Sequence, residues 1–243
     1  MVEEIMIIIL AFFFVTGLPA QNAEDIIRKM DELQTFDTII MTGTMVSVDQ
    51  FGKKTTTFKS WSAGNDKFLV ELTGGNEAGQ KVLKLKDELY LYYPDAEEII
   101  PLYGSALKQS MFGDISYEDM TEGNDTLSKY NVVLLATEKV DGRDCYKIEM
   151  TAKTKDVPYA RQIIWVDSGS YVLRQGEYYA KSGPALKKIT VLEVKNINGK
   201  YILSSLKLIN LKKSDTWTEM KAEDIKIDEP IPEQKFSVGS LSF

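Results

Sequence analysis

The sequence predicts a mainly β protein, built on a single antiparallel sheet that curls into a barrel or an incomplete barrel. Apolar residues alternate with polar or small residues in one segment after another, and these segments are rich in Thr, Val and aromatic residues. Hairpin turns separate the segments, with clear signals at Asp141-Gly142, Ser182-Gly183 and Asn198-Gly199. A sheet of roughly ten or eleven strands must curl, because sheets twist and long open edges are a hazard.

The N-terminal segment predicts export. An unbroken apolar run, Ile5–Val15, is too short to span a bilayer but has the length of a signal-peptide core, and cleavage sites follow at Ala20 or Ala23. The acidic start MVEE departs from the basic start of a signal peptide, so an altered start, a weak signal and a retained anchor stay open. We expect residues 1–20 to be removed as a signal peptide and residues 21–243 to form one exported domain.

One helix precedes the strands. The pattern predicts an amphipathic helix over Ala23–Leu33, because Ile26, Ile27 and Met30 fall on one face with Leu33, and acids lead the first turn.

The strands form two series, and no repeat or change of composition marks a second domain. The first series covers residues 38–49, 55–64, 66–74 and 80–94. The second series covers residues 129–142, 143–153, 161–170, 171–183, 187–199, 200–213 and 215–228.

A long insertion, about 35 residues, separates the two series and has no clear strand apart from a short EEII. Its pattern predicts a helix over Tyr103–Phe112 that ends at Gly113, and a second short helix capped by Ser116 with Asp119 three residues later. Insertions of this length are usually functional. Its apolar residues are too few to form a core, so we expect a lid that rests on an apolar hollow inside the curved sheet.

The composition excludes several classes of function. The chain has no histidine, which removes imidazole bases and histidine metal sites. The single cysteine, Cys145, excludes an intrachain disulfide and is expected to be buried. A net charge of −7 argues against nucleic acid as a partner. We expect no metal, no cofactor and no enzymatic activity, because no G-x-S-x-G elbow occurs and the acids Glu118 and Asp119 are typical of a helix start.

The middle of the chain, LKLKDELYLYYPDAEEIIPLYGSALKQSMFGDISYEDM, resembles the diagnostic region of the outer-membrane lipoprotein-sorting proteins, the LolA-like periplasmic carriers. In that family a strand such as Leu89–Pro94 is followed by a charged turn, a helical lid and a segment such as Gly113–Met120. The resemblance covers nearly the whole exported chain and is nearest to the larger sorting-protein branch. The downstream pieces that match are VDGRDCYKIEMTAK, ARQIIWVD, EYYAKSG, VKNINGKYI and EDIKIDEPIPEQKFS.

The resemblance implies an unclosed antiparallel half-barrel, with the N-terminal helix and a helical lid over an apolar concave face that accepts acyl chains. It implies a monomeric periplasmic carrier, not an enzyme, that moves lipoproteins from an inner-membrane exporter to an outer-membrane acceptor. An alternative keeps this fold but carries or senses another lipid for a different exporter or regulator. A structural envelope protein is a further alternative, although it would leave the long insertion unexplained.

Residues of the lid and of the concave wall are expected to bind acyl chains. For the lid we expect Leu102, Leu107, Met111 and Phe112. For the wall we expect Trp61, Phe68, Val70, Tyr92, Ile148, Ile164 and Leu192. Ordinary core packing is the competing interpretation for each wall residue, because a closed lid packs on the same apolar residues that an open lid exposes. A β-bulge would also reverse the face of a strand.

Overall fold

A single antiparallel sheet of 13 strands makes up most of the structure. The computed structural model describes residues 22–120, 125–155, 157–180 and 183–242. The predicted signal peptide, residues 1–20, lies outside the described residues. Within the described ranges, no helix is long and apolar enough to cross a membrane.

The secondary structure consists of two α-helices, fifteen strands and four short 3₁₀ helices among the described residues. The α-helices are α1 (Ala23–Leu33) and α2 (Thr126–Lys129). The large sheet contains β1 (Thr38–Asp49), β2 (Gly52–Ala63), β3 (Lys67–Leu72), β4 (Lys81–Leu85), β5 (Glu88–Tyr93), β6 (Glu98–Leu102), β9 (Tyr130–Val140), β10 (Arg143–Ala152), β11 (Arg161–Asp167), β12 (Leu173–Tyr179), β13 (Ala185–Ile197), β14 (Lys200–Asn210) and β15 (Trp217–Ile227). A separate hairpin pairs β7 (Ser110–Phe112) with β8 (Ile115–Ser116). The 3₁₀ helices are Gly104–Lys108, Tyr117–Met120, Glu233–Phe236 and Val238–Ser242.

The sheet is an unclosed meander whose first and last strands meet in its middle. Its strand order is β6-β5-β4-β3-β2-β1-β15-β14-β13-β12-β11-β10-β9. Strand β1 pairs antiparallel with β15, and Met45 lies opposite Met220. The two edges are therefore β6 and β9, which are consecutive strands of the large sheet in the sequence. The long insertion joins these two edges.

The sheet has more strands than the sequence indicated, because two were missed. The predicted strand 80–94 is two strands, β4 and β5, that turn at Lys86 with a φ of 53°. Glycine and asparagine are the usual signals of such a turn, and neither is present there. The short EEII segment is the edge strand β6, which contains Pro101. An edge strand tolerates proline because one side of its backbone makes no ladder bonds.

The predicted helix and two of the predicted hairpins are confirmed. Helix α1 begins and ends where the pattern indicated, and the Asn22 side chain accepts a hydrogen bond from the Glu24 backbone N–H at 3.3 Å. Ile26 and Ile27 are fully buried, whereas Leu33 is 39% exposed. The turns at Asp141-Gly142 and Asn198-Gly199 have positive φ values at both residues and join β9 to β10 and β13 to β14. Ser182 lies outside the described residues.

One face of the sheet carries apolar side chains across its whole width, and we call it the inner face. Register places inner-face residues of neighbouring strands opposite one another. These pairs are Val70 with Ser60, Met45 with Met220, Met220 with Leu206, Leu206 with Val191, Ile189 with Gly176, Gly176 with Ile164, and Ile164 with Ile148. Helix α1 packs on this face over Ile148 and Ile164. The insertion packs on the same face over β1 to β5.

The opposite, outer face is covered over β2 to β5 by the C-terminal tail. Phe236 and Leu241, from the two 3₁₀ helices of the tail, pack against Trp61, Leu69 and Tyr92. The Lys81 ammonium donates to the Leu241 carbonyl oxygen at 2.8 Å and holds the tail in place. Strands β2 to β5 are therefore buried on both faces.

Cys145 lies in strand β10 and is fully buried against Ile163 and Trp165, as the sequence predicted. Burial raises the pKa of its thiol, so its environment is that of a packing residue.

Asp31 joins the end of α1 to α2, and it should make the stability depend on pH. Its carboxylate accepts hydrogen bonds from the Thr126 N–H at 3.1 Å and the Thr126 hydroxyl at 3.0 Å. Burial raises its pKa from 3.8 to about 6, although the bonds from Thr126 act in the opposite direction. A folded-state pKa above the unfolded value contributes stability at low pH that is lost as the pH rises through about 6.

We expect Asp31→Asn to remove this dependence. Between pH 4 and pH 7 the melting temperature of the parent should fall progressively relative to that of the variant. Thermal unfolding followed by circular dichroism at several pH values measures the difference. A difference that stays constant over this range would contradict the assignment to Asp31.

Candidate functional site

Residues 103–120 of the insertion fold over the inner face, and we call them the cover segment. The helix predicted over Tyr103–Phe112 is wrong. The chain forms one 3₁₀ turn, Gly104–Lys108, and then strand β7. Gly113 does not end a helix but sits in the turn between β7 and β8 with a φ of 58°.

The second short helix is confirmed as the 3₁₀ helix Tyr117–Met120. The Asp119 carboxylate accepts hydrogen bonds from the Ser116 N–H at 2.8 Å and from the Ser116 hydroxyl at 2.7 Å. This contact satisfies one of the free N–H groups that precede a helix.

Apolar side chains of the cover segment pack against β1 to β5. Met111, Phe112 and Tyr117 are buried, with Phe112 only 3% exposed. They share one apolar cluster with Phe58 and Val70 of the sheet. Leu102 and Leu107 are partly buried against the same cluster.

A first polar anchor ties the cover segment to β14 and β15. Asp114 is buried, and its backbone N–H donates to the Thr218 hydroxyl at 2.9 Å. Its carboxylate accepts from the Asn210 amide at 3.0 Å and pairs with the Lys213 ammonium at 3.2 Å.

A second polar anchor lies at Asp119. Its carboxylate pairs with the Lys187 ammonium of β13 at 2.6 Å, and the Tyr159 hydroxyl donates to the same carboxylate. The side chains of Lys187 and Asp119 are only 13% and 19% exposed. Burial, followed by the nearby Asp119 carboxylate, raises the pKa of Tyr159. The cover segment therefore makes apolar contacts with β1 to β5 and polar contacts with β13 to β15.

A cavity of about 410 Å³ opens on the inner face beside the cover segment. Small-molecule sites usually have volumes of about 300–1,000 Å³. Gln34 and Phe36, just after α1, form one side, and Met120, the last described residue of the cover segment, forms another. The remaining lining residues are Ile39, Met41, Ser62, Gly64, Asn65, Lys67, Phe68, Lys84, Ile202, Leu203, Leu206 and Met220.

Three methionines contribute to this lining. Met41 comes from β1, Met220 from β15 and Met120 from the cover segment. Methionine is unbranched and polarisable, so it adapts to apolar groups of different shapes. The lining therefore suits a flexible apolar occupant better than a rigid one.

The predicted binding residues fall into three groups. The four lid residues, Leu102, Leu107, Met111 and Phe112, come together in one cluster of the cover segment and sheet. Four wall residues lie on the inner face, where Phe68 lines the cavity, Val70 packs under the cover segment, and Ile148 and Ile164 pack under α1.

For two of the other three wall residues, the predicted position on the concave face is wrong. Trp61 and Tyr92 face outward and pack under the C-terminal tail. Leu192 is the unpaired residue of a β-bulge between Val191 and Glu193 and is 50% exposed, so its place in the wall stays a prediction. Apolar residues at adjacent positions of these strands gave no indication of which face was inner.

Sequence reasoning missed most of the cavity lining. Met41, Leu206 and Met220 lie in strands whose period-two pattern was recognised, but the pairing of β1 with β15 that brings them together is non-local. Lys84 was passed over as one of several lysines in KVLKLK. A lysine in phase with the buried Val82 was the available signal, since residues two apart share a face.

A protein-family model matches residues 64–242. This family is DUF1329-like, and its description is that of an uncharacterized protein. The comparison with curated proteins gave no match.

Several solved structures are similar to the chain over most of its length. A crystal structure described as a DUF1329 family protein from Desulfovibrio piger has a TM-score of 0.84 at 22% identity and covers 90% of this chain and 97% of its own. A putative outer membrane lipoprotein-sorting protein domain from Vibrio parahaemolyticus has a TM-score of 0.80 at 21% identity and covers 91% and 100%. A LolA superfamily protein from Nitrosomonas europaea has a TM-score of 0.76 at 24% identity and covers 91% and 100%. The resemblance to lipoprotein-sorting proteins is thereby confirmed for the fold.

Gly113→Ala should lift the cover segment from the sheet. A Cβ atom at this position would lie 2.3 Å from the Thr218 hydroxyl and 2.4 Å from the Ser47 hydroxyl, in a backbone conformation that disfavours alanine. We expect a loss of about 2 kcal/mol or more in the free energy of unfolding, measured by urea denaturation. Gly142→Ala is the matched control, because its φ is also positive and its Cβ would meet nothing within 4 Å. Equal losses in the two variants would show that close contact at Gly113 is unimportant.

Lys187→Met should loosen the second anchor, because it leaves the partly buried Asp119 carboxylate without its ammonium partner. We expect the free energy of unfolding to fall by roughly 2–3 kcal/mol and amide exchange in residues 110–120 to accelerate. Lys139→Met breaks an exposed pair with Asp144 of similar length, 2.9 Å, and should change stability by less than about 1 kcal/mol. Unchanged amide exchange in Lys187→Met would contradict the anchoring role.

Proposed function

The chain belongs to this DUF1329-like family and shares the fold of LolA superfamily proteins, and from this premise we propose that it is a periplasmic carrier of acylated molecules. It holds the acyl chains of lipoproteins or other lipids in the inner-face cavity and performs no chemical reaction on them. The unclosed sheet acts as a half-barrel, and the cover segment acts as its lid. An inner-membrane exporter loads the carrier, and an outer-membrane acceptor unloads it.

The inner-face cavity is the observation that carries this proposal. It lies between α1 and the cover segment, and most of its lining side chains are apolar. Each buried methylene contributes about 0.8 kcal/mol, so an acyl chain of about 15 methylenes contributes on the order of 10 kcal/mol. A carrier must replace most of that contribution when it withdraws the chain from a membrane, and a preformed apolar cavity shielded from water supplies it.

The cover segment supports a mechanism of loading and release. Its contacts divide into an apolar part over β1 to β5 and two polar anchors on β13 to β15. An incoming acyl chain can replace the apolar contacts between the cover segment and the sheet with contacts of its own. The two polar anchors meanwhile hold the cover segment in position, because their hydrogen bonds are directional. Release of the anchors moves Met120 away from the cavity, since Met120 directly follows Asp119.

Met220→Glu should abolish the retention of lipid, because it places a carboxylate inside the apolar cavity. The measurement is mass spectrometry of protein purified from the periplasm, under native conditions and after denaturation. The parent should release diacylated or triacylated peptides, or free lipid, on denaturation. Leu192→Glu is the matched control, because Leu192 is 50% exposed and does not line the cavity, and it should retain the ligand.

Two results would contradict the carrier function. One is a parent protein that releases no acylated molecule and also takes up no fluorescent fatty acid. The other is loss of ligand that is equal in the Met220 and Leu192 variants, since binding would then not involve the cavity.

A further inference from the structure

The two edges of the sheet differ in how well they are protected against a further strand. Edge strand β6 has five residues and contains Pro101, which has no N–H to donate to a neighbouring strand. Edge strand β9 has 11 residues and contains neither proline nor glycine. It pairs with β10 on one side, and among the described residues no strand pairs with its other side. Long edges of this kind recruit other strands unless they are guarded.

Strand β9 is apolar where an edge strand is usually charged. Its residues Asn131–Thr137 carry no charge, and the charged residues of the strand are Glu138 and Lys139, near its end. Val133 is 56% exposed and Leu135 is 47% exposed. Natural edge strands commonly carry lysine or other charges that discourage pairing. The uncharged run of β9 lacks this guard.

A β-bulge in β9 decides which of its residues share a face. Leu134 lies opposite Ile148 on the inner face, and Val133 next to it therefore faces outward. Ala136 lies opposite Lys147, the neighbour of Ile148, so Ala136 also faces outward. The bulge thus puts Val133 and Ala136 on the same face, although they are three residues apart.

We propose that two copies of this chain pair antiparallel through β9, about a twofold axis perpendicular to the sheet, with Val133 of each copy opposite Ala136 of the other. An antiparallel pair joins residues of the same face, and this register does so on both sides of the bulge. The pairing gives partners to the backbone N–H and C=O groups on the free side of β9. It does not depend on the carrier function, and it departs from the monomer that the resemblance implies.

The charges of β9 are compatible with a second copy of the same strand. In this register Asn131 lies opposite Glu138, and Tyr130 lies opposite Lys139. No like charges are opposite each other, and Lys129, just before β9, lies diagonally across from Glu138. A slip of one residue would place Lys129 opposite Lys139, which is unfavourable. Charge and face therefore favour the same register.

The dimer keeps two separate cavities on one side of a continuous sheet. A twofold axis perpendicular to the sheet leaves both inner faces on the same side. Among the described residues that line the cavity none belongs to β9, so each copy retains its own cavity. Stable interfaces usually bury about 1,200–2,000 Å², and a single strand pair is small in comparison, so we expect a reversible dimer.

Sedimentation velocity of the full exported chain over a wide range of concentrations tests the proposal. The parent should shift from monomer to dimer as its concentration rises. Val133→Lys should raise the dissociation constant about tenfold or more, because the dimer contains the change twice and loses two apolar cross-strand contacts. Leu211→Lys is the matched control, because Leu211 is 48% exposed and follows β14, away from the edge, and it should dimerise as the parent does. Circular dichroism confirms that each variant is folded.

A disulfide tests the register. In the double variant Val133→Cys/Ala136→Cys, the two thiols of one copy are about 10 Å apart along the strand, too far to bond to each other. Each would lie opposite a thiol of the second copy, so mild oxidation should produce a covalent dimer. Val133→Cys alone should not, because its equivalent in the second copy lies about three residues away along the strand. The native Cys145 is fully buried, which keeps it out of the reaction.

Three outcomes would overturn the inference. The first is a parent that stays monomeric at every concentration. The second is an equal effect of Val133→Lys and Leu211→Lys, since the dimer would then form through another surface. The third is a double cysteine variant that gives no more covalent dimer than Val133→Cys alone.

Discussion

Because β1 pairs with β15, the first and last strands of the chain meet in the middle of the sheet. The edges are then β6 and β9, and the insertion between them must travel from one side of the sheet to the other. It crosses the inner face, where it packs on apolar side chains of the sheet. Gly113 rests on the seam itself, against Ser47 of β1 and Thr218 of β15. The position of the cover segment, and with it the cavity, thus follows from one non-local pairing.

The two halves of the sheet are stabilised in different ways. Strands β2 to β5 are covered on both faces, by the cover segment inside and the C-terminal tail outside. Strands β10 and β11 have α1 on the inner face and a small cluster around Cys145 and Trp165. The cavity lies between the part of the inner face that packs against α1 and the part that packs against the cover segment. A gap between two elements that pack on one continuous apolar face is a favourable place for an apolar ligand, because no packed core has to be broken to admit it.

Two carboxylates of the cover segment fix its position on the inner face. Asp114 is buried and Asp119 is partly buried, and they pair with Lys213 and Lys187. Their interactions are directional and therefore define where the cover segment sits, whereas its apolar contacts are not directional. In the proposed carrier, the two anchors would position the cover segment as a lid.

The sequence by itself determined the β class, the bounds of α1, the hairpins at Asp141-Gly142 and Asn198-Gly199, and the position of the insertion, because these depend on local periodicity and turn chemistry. It also identified Leu102, Leu107, Met111 and Phe112 as one group, since they are close in the chain. Only the tertiary structure decided which face of each strand is inner. Trp61 and Tyr92 are as apolar as Phe68, and the tail that covers them is far away in sequence. The sequence could not predict the cavity, because Met41 and Lys84 come near Leu206 and Met220 only through the pairing of β1 with β15, which spans nearly the whole chain.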